Sequence, residues 1–579
     1  MAPPPPRIRI DPAARIPLRK DGSLSSVDDA TEELLALKKT IDARPRQYVE
    51  LSVRTNFSFL SGATPPELMV FRAAELGYDA IAVCDRDGLY GIVRAMEEAD
   101  KQGIRLIVGC ELTLETEGLD VPDVPGKPTT LTVLIENRAG YTNLCKVLTE
   151  SHRRHPKSTP QKRAENLDEA ELPKNTFAGV PLSFVCAHAE GLWALADATL
   201  PIAELARAFG PRLSIAVHLH KDGEDRARVT RVLEAARTHG VPICATNRVL
   251  FAKPEDKPVF DVLHCIREGK TLDEAGRELL PNAEAHLKSE EEILRLFSLH
   301  PAWVARSRFI ADRCLFSMKE LSYRFPYEIT DLVHRDFRGA VGETANQALR
   351  RLTYEGAAAR YDPGKNGDKI PEKVRAQIEK ELALIAKLEV APYFLSVRAV
   401  VDMARRRDIL CQGRGSAANS AVCFCLGITA IDPARSNLLF ERFLSAERRE
   451  PPDIDVDFEH ERREEVIQEI YETYGRDRAA MVCEIISYRA KSALREVGKV
   501  FGFSLEQIER LAGVVSWWDG VSSVSESRLR AIGFSAEDTR VRFAVMMSRA
   551  VQGFPRHLSI HVGGFVLSAA PLVDVAPIE

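Results

Sequence analysis

The sequence predicts a multidomain α/β protein, and three observations carry that expectation. The chain has 579 residues, more than a single hydrophobic core can organise, so two to four domains are expected. From Tyr48 short apolar runs alternate with longer amphipathic ones, the signature of repeated βα units feeding a parallel sheet, either open or closed into a barrel. Further along, Ile409-Leu410, a glycine turn and the run Ala417 to Leu426 read as strand, turn and buried helix, followed downstream by the alternating stretch Asp453 to Phe458.

Composition removes several classes. Apolar residues make up 45% of the chain and charged residues 28%, ordinary for soluble globular protein. No apolar run approaches the roughly 20 residues of a membrane helix, and the start MAPPPPRIRIDP has no signal-peptide core; a cytoplasmic protein without membrane contact is expected. The 11 cysteines are scattered, only Cys423 and Cys425 lying close together, so neither a disulfide framework nor a structural zinc site is indicated. A net charge of −5 gives no general basic coat for nucleic acid. Arg405-Arg406-Arg407, Arg442, Arg448-Arg449 and Arg462-Arg463 nonetheless crowd around the acidic stretch. Each alone suits a solvated face, while their crowding favours phosphate contacts.

The elements follow in order. Residues 1–47, with a Pro-rich start, a polar turn at Asp21-Gly22-Ser23 and a helical stretch near Thr31 to Ile41, cannot make a core and read as a mobile tail. Strands are expected at Tyr48 to Val53, Ala80 to Asp85, Arg105 to Leu112, Leu131 to Ile135, Ser183 to Cys186, Leu213 to His218 and Ile243 to Thr246, with helices at Pro66 to Leu76 and near Gly91 to Gln102. From about Asn282 the chain, with helices around Ala302 to Cys314, leads away from that unit. Helices are expected at Thr344 to Tyr361, Pro371 to Leu388, Glu459 to Tyr474 and Lys491 to Phe501. The last carries Lys491, Arg495 and Lys499 on one face, a track for a phosphate backbone or a solvated face. Val514 to Gly553, with Trp517-Trp518 as core or interface residues, completes a small helical unit.

The chemistry gathers in Pro451 to Phe458. A strand alternating acid with apolar residue sets Asp453, Asp455 and Asp457 on one face and Ile454, Val456 and Phe458 on the other. Neighbouring carboxylates on that face are roughly 6.5–7 Å apart at the backbone, and their side chains can converge on two divalent ions about 4 Å apart, as phosphoryl or nucleotidyl transfer requires. An edge strand showing its acids to water has the same pattern. Upstream, Gly413-Arg414-Gly415-Ser416 opens the apolar run to Leu426. Free N–H groups and the dipole at a helix start favour an anion, glycines let a phosphate approach, and Arg414 and Ser416 add donors. A Gly-x-Gly segment alone is commonly only a turn; followed by a carboxylate strand it points to a metal–triphosphate site.

The runs LCQGRGSAANSAVCFCLGITAIDP, LLFERFLSAERREPPDIDVDFEHERREEVI and YETYGRDRAAMVCEIISYRAKSALREVGKVFG resemble the palm and the start of the thumb of bacterial C-family DNA polymerases, the DnaE or polymerase III alpha proteins. PPDIDVDFEHERREEVI and GFPRHLSIHVGGFVLS are most similar to the error-prone DnaE paralogue, ImuC. The resemblance runs from about Tyr48 to the last residue. It implies a PHP domain at 48–284, a distorted seven-stranded (β/α) barrel; a polymerase-beta-like nucleotidyltransferase palm at 285–487; a small helical thumb at 488–552; and a palm return at 553–579. It further implies a DNA-directed DNA polymerase of damage-induced mutagenesis, acting on primer–template DNA and deoxynucleoside triphosphates with ImuA, ImuB and the sliding clamp as partners. Asp455 and Asp457 would hold two magnesium ions, Asp453 would match without being a ligand, and Arg414, Gly415, Ser416 and Arg442 would bind the nucleotide. The family's third palm carboxylate, its fingers, its helix-hairpin-helix region and its oligonucleotide-binding fold find no counterpart before Glu579, since Asp574 matches a connecting stretch. The expectation is a fragment inactive alone. A PHP phosphoesterase and a non-catalytic DNA- or mutasome-binding module are the alternatives.

The PHP part departs from its superfamily. Where metal-binding members carry histidines and acids, this chain has Ser52 and Arg54, Asp85 and Arg86, Glu111, and Arg248 with Leu250. Arginine stays protonated and competes with a cation, so no metal is expected there, and Arg–carboxylate pairs are expected in its place. His188, His218, His220 and His264 fit no ligand motif. His557 and His561 are spaced i, i+4 but lack the accompanying glutamate of a zinc motif, and Ile560 stands where the family has Gln.

Overall fold

The computed structural model describes residues 46–116, 128–154, 179–321, 343–361, 370–433, 454–515, 520–535 and 537–579. Arg442, Asp453, Trp517, Trp518 and nearly all of the expected tail lie outside the described residues.

A six-stranded sheet runs in sequence order: β1 (Ala80–Arg86), β2 (Arg105–Thr113), β3 (Thr130–Ile135), β4 (Leu192–Ala196), β5 (Leu213–Val217) and β6 (Ile243–Ala245). Its strands are mostly apolar and largely buried, with Asp85, Arg86, Arg105 and Glu111 as the charged exceptions, as expected of strands covered on both faces. The sheet curls: Val53 bridges Val83 of β1 on one side and Val249, beyond β6, on the other, both in parallel.

Three expectations are corrected here. The sheet is mixed, because β3 is antiparallel to both β2 and β4. Tyr48 to Val53 makes an isolated bridge rather than a regular strand, since the buried Glu50 carboxylate takes the N–H groups of Ser52 (3.0 Å) and Asn247 (2.8 Å) that ladder carbonyls would have taken. Ser183 to Cys186 lies in a helix, Leu182–Ala187, started by Pro181 and burying Leu182 and Val185 three apart; the strand is Leu192–Ala196 instead.

The segment expected to lead away packs back on the barrel. Leu287, Ile293, Phe297, Val304 and Phe316 share its main core, and Ile310, Ala311 and Cys314 join Trp193 and Leu195 on another face. The helical unit after residue 488 is likewise continuous with barrel-side residues: Phe260 and Leu263 of helix Lys257–Glu268 form one apolar cluster with Leu494, Val497 and Val545. Hydrophobic burial thus crosses sequence boundaries that composition alone suggests.

The site-bearing region has two antiparallel ladders: β7 (Cys411–Arg414) with β8 (Asp455–Phe458), and β9 (Ala479–Ser487) with β10 (Pro555–Leu567). Both rest on helices Ala391–Arg406 and Arg463–Tyr474 through a core of Met403, Ala404, Val466 and Ile470 that takes Cys411 and Phe458 from one ladder and Ala479, Phe565 and Leu567 from the other. After β10, residues 574–578 lie along helix Arg138–Arg154: Arg138 Nη2 and Tyr141 Oη donate to the Asp574 and Val575 carbonyls, each at 2.6 Å, and Ile578 N donates to Thr149 Oγ1 at 2.9 Å. Among the described residues, no helix is long and apolar enough to cross a membrane.

Helix Ala345–Tyr361 reaches the short helix Ala421–Cys425 through Gly356, where a Cβ would lie 1.8 Å from the Cys425 carbonyl oxygen. Gly356→Ala is therefore expected to lower unfolding free energy by about 1–3 kcal/mol through forced separation, read as a lower denaturant midpoint with unchanged secondary structure; an unchanged midpoint would contradict this contact.

Burial pushes the Glu50 carboxyl up to about 7, against hydrogen bonds from Tyr48, Asn247 and Ser52 that favour its charged form. The folded protein then keeps a proton that the unfolded chain, at the ordinary 4.5, releases. Stability falls as pH rises between those values, by at most about 1.4 kcal/mol per pH unit from this group, and levels off above. The difference between wild type and Glu50→Gln, followed by denaturant melts from pH 5 to pH 8, should shift over that window; parallel curves would exclude the assignment.

Candidate functional site

The β7–β8 register sets Arg414 opposite Asp455 and Gln412 opposite Asp457. β8 alternates as its sequence predicts: Asp455 and Asp457 face outward, Val456 and Phe458 pack inward, and Ile454 just before them is buried. The strand is half-exposed, however, and not the buried strand expected, because β7–β8 is only two strands wide and its carboxylate face is exposed among the described residues. Two glycines make the pairing possible. A Cβ on Gly413 would lie 2.7 Å from the Ile428 carbonyl oxygen, to which Gly413 N donates at 2.7 Å. Gly415 has φ +66°, and its Cβ position is 3.5 Å from Asp455 Oδ2, so the glycine turn and the acid strand meet. Arg414 Nε lies 3.0 Å from Asp457 Oδ1 with both side chains about two-thirds exposed, a pair too solvated to matter for stability but well placed to change partners.

The turn after Arg414 differs from the single buried helix expected. Gly415–Asn419 is a 3-10 turn, and the α-helix is only Ala421–Cys425. Ser420 breaks the two apart in extended conformation (φ −98°, ψ 122°), its Oγ accepting from Cys423 N. The helix start is already filled. Glu381, fully buried, accepts hydrogen bonds from Ser420 Oγ (2.8 Å), Ala421 N (3.0 Å) and Val422 N (3.0 Å). The donors left to an incoming anion are therefore Arg414 and the 3-10 turn, with Ser416 among its residues, and not the helix end. Sequence reasoning missed Glu381, although a signal was present: it shares a helical face with Ile378, Leu382 and Ile385, all apolar and buried, where an unpaired acid is costly.

Asp455 and Asp457 offer hard oxygen donors on one solvent-open face, which suits magnesium and its retained waters. Among the described residues, no group of three or more His, Cys, Asp or Glu side chains is arranged to hold a metal ion.

At the barrel mouth, the PHP positions come together around Glu111. Arg54 grips it as a two-point fork, Nε to Oε2 at 2.6 Å and Nη2 to Oε1, and Arg248 Nη2 adds a bond to Oε1 at 3.2 Å. Burial pushes Glu111 up, but the two guanidiniums outweigh it and hold the carboxyl well below the usual range. Asp85 is satisfied differently. It accepts from Thr55 N (2.7 Å), Thr55 Oγ1 and Ser58 Oγ (2.7 Å), and burial raises it. Arg86 turns to Thr113 Oγ1 (3.1 Å) and Asp87 (3.5 Å), a buried acid the motif comparison passed over. Ser52 and Leu250 are buried and contribute backbone bonds. His218 and His220 stand ring to ring, 4.5 Å apart, with burial lowering His218 and pushing His220 down to about 4. His264 Nδ1 accepts from Arg267 Nη2 at 2.9 Å. Both Glu111 oxygens being taken by guanidinium, this donor set does not fit a divalent cation.

Other singled-out residues have local roles. His561 Nδ1 accepts from Gly563 N and Gly564 N in a β10 bulge. Arg495 is forked on Glu509, and Lys499 lies 3.1 Å from Glu496, so two of the three basic residues on that helix already face acids.

Two family models match: the PHP domain over residues 50–237 and the bacterial DNA polymerase III alpha NTPase domain over residues 347–579, which includes both ladders and the glycine turn. This chain belongs to the bacterial DnaE, or DNA polymerase III alpha, family. Among its curated relatives, the error-prone DNA polymerase of Anaeromyxobacter dehalogenans strain 2CP-C is 43% identical over 603 residues, covering 92% of this chain and 51% of its own. Those of Alkalilimnicola ehrlichii and Bordetella parapertussis are 42% and 43% identical, covering 92% of this chain and 48% of theirs. The chain spans about half the length of these relatives. A solved amidohydrolase from Chromobacterium violaceum overlaps 39% of this chain and 84% of its own at TM-score 0.19 and 15% identity, too slight a likeness to argue from.

Arg54→Ala should leave Glu111 buried with only the longer Arg248 contact, at a cost of about 3–5 kcal/mol typical of a broken buried pair, whereas Arg54→Ala combined with Glu111→Leu should recover much of it. Denaturant melts of the single and double variants measure this; equal losses would mean the pair is not coupled.

Proposed function

We propose that this chain supplies the catalytic palm of a DNA-directed DNA polymerase of C-family type, one that performs error-prone translesion synthesis during damage-induced mutagenesis. The observation that carries the reading is the β7–β8 pairing, which sets Arg414 and Gly415 against Asp455 and Asp457 on one open face.

Asp455 and Asp457 hold two magnesium ions in this reading. When bound, magnesium supplies activation of the primer 3′-hydroxyl and neutralisation of the triphosphate's charge. The chain's own residues do the rest. Gly415, without a side chain and in the left-handed region, lets phosphate oxygens approach the 3-10 turn. Arg414, resting on Asp457, exchanges that carboxylate for a phosphate oxygen as the nucleotide arrives, a trade its exposed fork makes cheaply. Ser416 adds a hydroxyl donor, and Arg442 is assigned to the nucleotide by family likeness. The 3′-oxygen then bonds to the α-phosphorus as the bond to pyrophosphate breaks. We assign 488–552 the thumb role and the barrel a scaffolding role; the forked Arg54–Glu111 pair argues against a PHP phosphoesterase. ImuA, ImuB and the sliding clamp are the partners family likeness suggests, in the cytoplasm.

Nucleotide binding to this chain, followed by fluorescence with a deoxynucleoside triphosphate analogue, should require magnesium and weaken at least about tenfold in Asp455→Asn and in Asp457→Asn, in line with loss of a charge-assisted contact. Manganese titration by paramagnetic resonance should lose affinity in the same variants. Unchanged binding of both ligands in both variants would end the polymerase reading.

A further inference from the structure

Glu381 is a fully buried acid bonded to the chain just past the site-bearing turn, and the mechanism above does not use it. It sits on helix Glu372–Lys387, three residues after Ile378 and one before Leu382, both packed in the core. Its carboxylate is spent entirely on the chain just past the glycine turn. Oε2 accepts from Ser420 Oγ and Val422 N, while Oε1 accepts from Ala421 N and from Gln377 Nε2 at 2.8 Å. Burying a charge is costly unless hydrogen bonds and a local dipole compensate it, and three donors at a helix start with a fourth from Gln377 on its own helix meet that condition.

We propose that Glu381 is a positioning residue for nucleotide binding, which holds the 3-10 turn Gly415–Asn419 in place beside the face that carries Asp455 and Asp457. The inference rests on the polymerase reading. The turn is clamped at two ends. At its entry β7 is paired to β8, and Gly413 N is bonded to the Ile428 carbonyl. At its exit Ser420 N donates to the Ala417 carbonyl at 3.1 Å, Ser420 Oγ donates to Glu381, and the next two N–H groups also end on Glu381. Inside the turn, Asn419 Nδ2 donates to the Ser416 carbonyl at 3.0 Å. With the exit bonds gone the turn loses its anchoring on that side, and Gly415 (φ +66°) is the natural hinge about which it would shift.

A carboxylate is needed because its two oxygens each accept from a backbone N–H, Ala421 N on Oε1 and Val422 N on Oε2, and those donors cannot turn round to become acceptors as the Ser420 hydroxyl and the Gln377 amide can. Glu381→Gln keeps the size but confronts at least one backbone N–H with an amide NH2. A cap that served only stability would, when weakened, lower the melting point and affect every ligand of the folded protein alike. A positioning role separates the ligands: the carboxylates on β8 are set by the β7–β8 ladder, whereas the phosphate donors are set by the turn.

The test uses the full chain at a temperature well below its melting point. In Glu381→Gln, the dissociation constant of a magnesium–deoxynucleoside triphosphate analogue should rise on the order of tenfold or more, the scale of displacing a binding group by a fraction of an ångström, while manganese alone binds as in wild type. Ser420→Ala removes one of the four donors and should give a smaller rise, with Glu381→Gln,Ser420→Ala no worse than Glu381→Gln. If Glu381→Gln does not fold, Ser420→Ala decides by the same two readouts. Nucleotide affinity equal to wild type, or a parallel loss of manganese and nucleotide affinity, overturns the positioning role while leaving the polymerase reading intact. A wild-type chain that binds no nucleotide overturns both.

Discussion

The candidate site depends on one short pairing, β7 against β8. Its eight residues bring together two motifs separated by a long stretch of sequence, and its register decides that Arg414 faces Asp455 and not a neighbour of the opposite orientation; a slip of one residue would turn both carboxylates into the core. A two-stranded ladder is marginal by itself in water. It persists because Cys411 and Phe458 join the apolar core beneath, where helices Ala391–Arg406 and Arg463–Tyr474 also receive Ala479, Phe565 and Leu567 from the second ladder. The acids therefore stand on a surface whose stability comes entirely from its underside.

Buried acids recur through this molecule, and each is accommodated by a different device. Glu111 is neutralised by the Arg54 fork and Arg248, Asp85 by hydroxyls and a backbone N–H, Glu381 by a helix start, and Glu50 by retaining its proton near neutral pH. The devices differ in consequence. An ion pair in the barrel mouth closes the position to a cation, which is why the barrel reads as scaffold. A carboxylate on a helix start fixes the chain beside it, as Glu381 does for Ser420, Ala421 and Val422. Asp455 and Asp457 need no such device, since both are exposed to water and Asp457 also meets the Arg414 guanidinium.

The barrel and the polymerase part are physically continuous. Helix Lys257–Glu268 shares its apolar face with the helices after residue 488, and the stretch after β10 runs along helix Arg138–Arg154 through three hydrogen bonds. A substitution that loosens the barrel is thereby transmitted to β10 and, through the common core, to the floor of β7–β8.

Much of this was legible in the chain. Alternation at Asp455 to Phe458 fixed which side chains turn outward, because strand periodicity is a local property, and the glycines at 413 and 415 marked a close approach. Continuous apolar runs marked β1, β2 and β3, and the arginines at 54 and 248 foretold that Glu111 would be held by ion pairs. What failed had non-local causes. Leu182–Ala187 and Leu192–Ala196 are both short and apolar, and only their surroundings distinguish helix from strand. The run 417–426 split because Ser420 found a partner on a helix some forty residues earlier. The antiparallel course of β3, the return of residues 285–321 to the barrel and the placement of Glu381 against the turn were decided by which surfaces met in space. The sequence by itself determined the chemistry each residue could perform; tertiary packing decided which residues share a site, because burial and hydrogen-bond satisfaction are properties of neighbours and not of a residue's own type.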